Sequence, residues 1–214
     1  MILRTPEELE EIKRRFLEHY KGSKTELNYR NDYELLIAII LSAQCTDKRV
    51  NMITPTLFEK YPDIDSLAEA DIEDVKEIIK SCSFFNNKAK NIVEMAKKVK
   101  NEYNSKIPRE HKELLKLPGV GNKTANVFLI ELEGENRMAV DTHVFRVSHR
   151  LGITDAKTVK ETEKDLVEAF KTDLNELHQA FVLFGRYICT AKNPKCEKCF
   201  VPDFCVSKEN FKPK

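Results

Sequence analysis

The 214-residue chain has no long hydrophobic run. Its longest apolar stretch, Leu35–Leu41, falls far short of the ~20 residues that span a bilayer. It has no excess of either charge: 36 Lys and Arg against 35 Asp and Glu give a net charge of +1. Composition therefore does not announce a nucleic-acid binder, and any such surface must arise by segregating charge onto one face. The chain opens on a polar, charged pattern with no basic-plus-apolar leader, so a cytoplasmic, prokaryotic location is the expectation. Sustained alternation, internal repeats and low-complexity tracts are also missing, which argues against sheets and solenoids. What remains is 41% hydrophobic and 33% charged, the balance of a soluble globular protein with enough apolar material for a core.

The apolar residues recur at helical spacing almost throughout. Thr5-Pro6-Glu7-Glu8 opens a first helix with a cap, a proline at the first helical position and a capping-box glutamate. Leu9, Ile12, Phe16 and Leu17 form its stripe. Tyr33–Ala43 is apolar nearly all round, as expected of a helix buried inside a bundle. Further helices are expected near 48–61, 72–82, 88–103, 112–117, 123–133, 142–151, 159–170 and 174–188, with Asp63, Asp71, Asp141 and Asp173 as caps. The fold class is all-α.

Three local patterns carry chemistry. In Leu117-Pro118-Gly119-Val120-Gly121-Asn122-Lys123-Thr124-Ala125, Pro118 stops the incoming helix. Gly119 and Gly121 permit positive φ and leave no side chain between backbone and ligand. Such a hairpin presents amides beside a helix N-terminus, a seat for phosphate. Lys123 then falls in a first helical turn, where the macrodipole favours anions and disfavours an ammonium. Asp141, in Ala139-Val140-Asp141-Thr142-His143, reads as a cap whose carboxylate is held by amides and suits stabilisation of a cation. In the tail, Cys189, Cys196, Cys199 and Cys205 crowd into one loop with Lys192, Lys195 and Lys198 among them. Four thiols so close point to a metal centre, by ligand type either zinc or iron–sulfur.

Taken together, these strings resemble the endonuclease III family of helix-hairpin-helix DNA glycosylases, from about Tyr33 to Cys205 and in that family's order. The hairpin matches its helix-hairpin-helix, and the cysteine spacing resembles its [4Fe–4S] loop. The resemblance implies that Lys123 and Asp141 are the catalytic pair and that the four cysteines hold the cluster. Leu41-Ser42-Ala43-Gln44-Cys45-Thr46-Asp47 matches the family's Leu-Ser-x-Gln-x-Thr-Asp segment, which places Gln44 in the gap left by a flipped base. Phe84, in Ser83-Phe84-Phe85-Asn86-Asn87-Lys88-Ala89, stands where the family commonly has an intercalating leucine, and it is still a wedge-type residue. Asp47, His143 and Arg146 lie in family motifs as supporting residues.

The implied protein has a six-helix bundle domain at 22–135 and a discontinuous cluster domain, 1–21 with 136–214. The implied activity is bifunctional excision: removal of oxidised pyrimidines, then β-elimination at the abasic site, in damaged double-stranded DNA, by a monomer. Gln44, Phe84, Gly119, Val120, Gly121, Lys123, Lys192 and Lys195 are the expected DNA contacts. The lysines near Lys88, Lys90, Lys97, Lys98 and Lys100 suit either a DNA-facing helix or a merely exposed one. Rival readings are a monofunctional mismatch glycosylase, a non-catalytic iron–sulfur DNA-binding protein and an iron–sulfur redox protein.

Overall fold

A computed structural model describes residues 1–211, and these are helical with no strand beyond one isolated bridge, Ile2 to Thr154. Among them, no helix is long and apolar enough to cross a membrane. The chain divides into two compact units, Glu26–Leu132 and the pair of segments Met1–Thr25 with Glu133–Lys214.

The unit from Glu26 to Leu132 contains α2 (Asp32–Ser42), α3 (Asp47–Lys60), α4 (Ile64–Ala68), α5 (Ile72–Ile79), α6 (Phe85–Glu102), α7 (His111–Leu114) and most of α8 (Asn122–Glu133). Helix α2 is its axis: Asn31 caps it by accepting from the Glu34 amide, and Leu35, Leu36, Ile37, Ala38 and Leu41 are fully buried. Removing one such leucine side chain costs ~3–5 kcal/mol in a core that cannot collapse around the gap. Its buried Glu34 carboxylate, 2% exposed, is held by the Arg30 amide and guanidinium, as a buried charge requires. Helices α3 and α6 pack on α2, and α4 and α5 pack on α6. The five-residue α4 has no counterpart in the expected helices because so short a helix shows no period; its cap, Asp63, was legible and accepts from Ser66.

The other unit contains α1 (Pro6–His19), α9 (Thr142–Arg150), α10 (Val159–Phe170), α11 (Leu174–Tyr187) and three single-turn 3₁₀ segments at Cys196–Lys198, Pro202–Phe204 and Lys208–Phe211. The capping box at Thr5 and Glu8 starts α1. Helices α1 and α9 both pack on α11. Gly185 is what lets α9 approach α11, since a Cβ there would lie 2.8 Å from the His143 Cβ. Phe16, Phe181 and Phe184 form an aromatic cluster, joined by Phe200 with its ring 5.0 Å from Phe16. Phe200 belongs to the cysteine loop, so the core seats that loop directly.

Asp173 is not the cap expected of it. It lies in a left-handed conformation (φ 59) with no capping bond and pairs instead with Lys13 at 2.6 Å. The Leu174 amide is taken by Asn136 Oδ1 at 2.9 Å. The attraction of a nearly buried ammonium outweighs a local cap, because a buried charge needs its partner more than a helix end does.

Candidate functional site

The hairpin joins α7 to α8 through a tight turn. Leu117 donates to the Leu114 carbonyl and Val120 to the Leu117 carbonyl, at 3.0 and 3.1 Å. Gly119 sits at φ +79, and an added Cβ would press on Asn91 Cβ at 3.0 Å. Gly121 differs from the sequence expectation: its φ is not positive, and a Cβ there would meet nothing within 4 Å. Its glycine leaves the backbone open to approach. The Ala125 amide bonds the Gly121 carbonyl at 3.0 Å, so α8 begins at this glycine and its first amides have no acceptor one turn back. Val120 is 6% exposed and its amide is spent on the Leu117 carbonyl, so it anchors the turn. Lys123 is exposed on the first turn of α8.

Asp141 caps α9. Both bonds, from the His143 and Val144 amides at 2.8 Å each, fall on Oδ1, which leaves Oδ2 without a hydrogen bond among the described residues. The segment leading into it is fixed from behind: Ala139 and Val140 are buried, and His178 of α11 meets the Ala139 carbonyl at 2.8 Å. Arg146 of α9 reaches His143 Nδ1 at 3.1 Å and the Gly185 and Cys189 carbonyls. Burial pushes His143 below the ordinary imidazole value, which keeps a second cation away from Arg146. Nothing in the sequence marks His178, since a lone helical histidine carries no motif.

The cysteine loop follows α11 without a break. Cys189 donates its amide to the Phe184 carbonyl at 2.7 Å, and 3₁₀ turns place Cys196, Cys199 and Cys205. The four cysteines line one hollow together with Phe184, Ile188 and Pro194. Among the described residues no trio of His, Cys, Asp or Glu closes tightly enough to hold a lone ion. Burial first, and then the neighbouring thiols, push Cys196 and Cys199 above the ordinary thiol value. Thiols that inhibit each other's ionisation are stabilised as thiolates by cationic iron. Arg150 binds the loop from below, donating to the Thr190 carbonyl at 2.7 Å, the Ala191 carbonyl at 2.9 Å and Cys189 Sγ at 3.3 Å. The residues present fit a cluster whose corners each take one thiolate. Lys192 and Lys195 are exposed on this loop.

Gln44 and Phe84 share an unusual feature. Both are non-glycine residues in the left-handed region, at φ 53 and φ 58, and both are exposed, Phe84 to 64%. A bulky residue there is strained, and such strain concentrates at functional positions. Their turns are neighbours: Cys45 Sγ lies 3.3 Å from Cys82 Sγ. Burial, then the Cys45 thiol, push Cys82 up to about 12. Of the lysines of α6, Lys88 is neither DNA-facing nor exposed; it is 6% exposed and points inward. Lys97, Lys98 and Lys100 pair with Glu94, Glu102 and Glu69, which marks that face as a solvated one.

Comparison with known proteins agrees with these motifs. The family model described as HhH-GPD superfamily base excision DNA repair protein matches residues 37–172, and that of the iron–sulfur binding domain of endonuclease III matches 189–205. The chain is 44% identical over 191 residues to endonuclease III of Rickettsia felis, covering 89% of this chain and 90% of that protein. It is 44% identical over 188 residues to endonuclease III of Bacillus subtilis, covering 87% and 86%. A solved structure of a trapped endonuclease III–DNA covalent intermediate superposes with a TM-score of 0.90 at 37% identity, covering 97% of this chain and 98% of that one.

Proposed function

This chain belongs to the endonuclease III family within the HhH-GPD superfamily, a base excision repair DNA glycosylase and AP lyase with a [4Fe–4S] cluster, and we propose from that premise how its own residues act. Its substrates are oxidised pyrimidines and abasic sites in double-stranded DNA, met as a monomer in the bacterial cytoplasm at the nucleoid. The unit bearing α2–α8 grips and opens the duplex, and the unit bearing α1 and α9–α11 supplies the carboxylate and the cluster loop.

The hairpin amides around Gly119 and Gly121 take a phosphate and so fix the register of the duplex without reading its sequence. Gln44 and Phe84 fill the stack as the damaged nucleotide leaves it. Lys123, as the neutral amine, attacks C1′ with its Nζ lone pair. The glycosidic bond breaks, and the base departs with that bond's own electron pair and is protonated as the attacking amine gives up a proton. Asp141 stabilises the positive charge that develops on the sugar, and its carboxylate is ready without reorganisation because the α9 amides already hold Oδ1. Ring opening converts the aminal to a protonated Schiff base on Lys123. Loss of a C2′ proton then expels the 3′ phosphate, and water releases the enzyme. Cys189, Cys196, Cys199 and Cys205 hold the cluster, which orders the loop that offers Lys192 and Lys195 to phosphates.

The observation that carries this reading is the rigidly capped Asp141, whose second carboxylate oxygen is uncommitted, and the exposure of Lys123 on the first turn after the hairpin supports it. Borohydride should trap the wild-type enzyme on thymine-glycol or abasic DNA as a stable adduct. Lys123→Gln should lose the adduct and the nick while still binding DNA; trapping near the wild-type rate would assign the chemistry to another amine.

A further inference from the structure

Lys88 stands one turn into α6, and its side chain turns inward rather than to solvent. Its Nζ donates to the Leu41 carbonyl at 2.8 Å and to the Ala43 carbonyl at 2.6 Å. Those are carbonyls at the C-terminal end of α2, where a helix leaves acceptors without intrahelical partners and where its dipole is negative. A buried ammonium is costly unless it is fully engaged. Burial pushes this one below the ordinary lysine value, the thiols of Cys82 and Cys45 opposing that shift. The end of α2 is therefore the group that holds Lys88, and Lys88 in turn holds the end of α2.

The residue after Ala43 is Gln44, exposed at φ 53. On its own backbone, Lys88 donates to the Phe84 carbonyl at 3.1 Å, and Phe84 is the second exposed residue held at positive φ. The Cys45–Cys82 contact closes the space between the two turns. A strained conformation of this kind persists only where its surroundings over-determine it. One residue touches the frame of both turns: its side chain reaches that of Gln44 across 47 and 45 residues of sequence, and its backbone amide holds that of Phe84.

We infer that Lys88 is a positioning residue for base flipping: by bridging the Leu41 and Ala43 carbonyls from one turn beyond Phe84, its side chain presets the Gln44 turn, beside that of Phe84, in the shape that enters the duplex. This rests on the reading that Gln44 and Phe84 fill the opened stack. A loop already in its bound shape has no ordering cost left to meet on binding, and removal of the bridge returns that cost to the flipping step.

The test uses the cluster-loaded enzyme and a thymine-glycol duplex carrying 2-aminopurine beside the lesion, so that fluorescence reports opening and single-turnover kinetics report base release. A parallel reaction uses a single-stranded abasic oligonucleotide, which needs no opening. Lys88→Met should lower opening and base release by about tenfold, the scale of a charge-assisted hydrogen bond, while nicking of the single strand stays within about twofold of wild type. Lys88→Arg, which keeps the charge and several donors, should recover most of the opening, and Lys88→Gln should not. Gln44→Ala combined with Lys88→Met should be no worse than the more impaired single variant, because the lysine acts through the turn. Should the Met variant fail to fold, the Gln and Arg variants carry the comparison, and equal opening in those two overturns the proposal. Equal losses on duplex and single strand also overturn it, since they report general damage. Normal opening in Lys88→Met with impaired opening in Gln44→Ala defeats the Lys88 proposal alone. Normal opening in both Gln44→Ala and Phe84→Ala defeats the underlying reading of the wedges, and the inference with it.

Discussion

Replacing Asp141 by asparagine separates its two roles, cap and charge. Both amide bonds in α9 fall on one oxygen at 2.8 Å, and the amide oxygen of asparagine can accept both, so the cap survives. Asparagine and aspartate cap helices about equally well. What is lost is a negative charge at a helix N-terminus, worth ~0.3–1 kcal/mol at a partly exposed site. For a chain of this size that corresponds to a fall of roughly 2–4 °C in melting midpoint at the upper end. Alanine removes the cap as well and should cost ~0.5–2 kcal/mol. Catalysis follows a different scale, since removing one preorganised electrostatic stabiliser of a developing charge costs ~10²–10³ in rate. The two variants should therefore be similarly slow in single-turnover release of thymine glycol and differ mainly in stability. Thermal melts and burst-free kinetics on the same preparations measure both quantities. An asparagine variant within a few-fold of the wild-type rate would refute the electrostatic role. So would rates that fall in step with stability across the pair.

The two hairpin glycines should part company. Gly119→Ala forces a Cβ into positive φ and against Asn91, costing ~1–2 kcal/mol in a denaturant melt, whereas Gly121→Ala meets no atom and should leave stability unchanged or raise it by up to ~1 kcal/mol while weakening DNA binding in a fluorescence-anisotropy titration. Cys199→Ser should lower iron from about four atoms per chain and drop both melting midpoint and DNA affinity, read by metal analysis and calorimetry; retained iron with an unchanged midpoint would contradict the cluster assignment. Affinity for undamaged DNA should fall steeply with salt, and removing Lys192 and Lys195 together should reduce the log–log slope by roughly two. An unchanged slope would take those lysines off the phosphates.

Most of what makes this protein recognisable is local in the chain. The capping box at Thr5, the caps at Asp63, Asp71 and Asp141, the hairpin string and the crowding of four cysteines each act within a few residues, so their physics is written in adjacent letters. A buried helix such as α2 is equally legible, because an apolar surface all round has only one place to go. What the letters did not show lies in contacts between distant segments. Lys88 reads as one more surface lysine until α6 folds against the end of α2 and turns it inward. His178 and Arg150 reach carbonyls about 40 residues away, and nothing beside them in sequence marks those carbonyls as needing a donor. Asp173 is lettered as a cap and becomes the partner of Lys13 instead. Positive φ at Gln44 and Phe84 is invisible for the same reason: side chains that disfavour it locally adopt it only when packing elsewhere over-determines the turn. Near-neighbour hydrogen bonds choose the elements, and the placement of buried charge among those elements decides which side chains hold the working surface in shape.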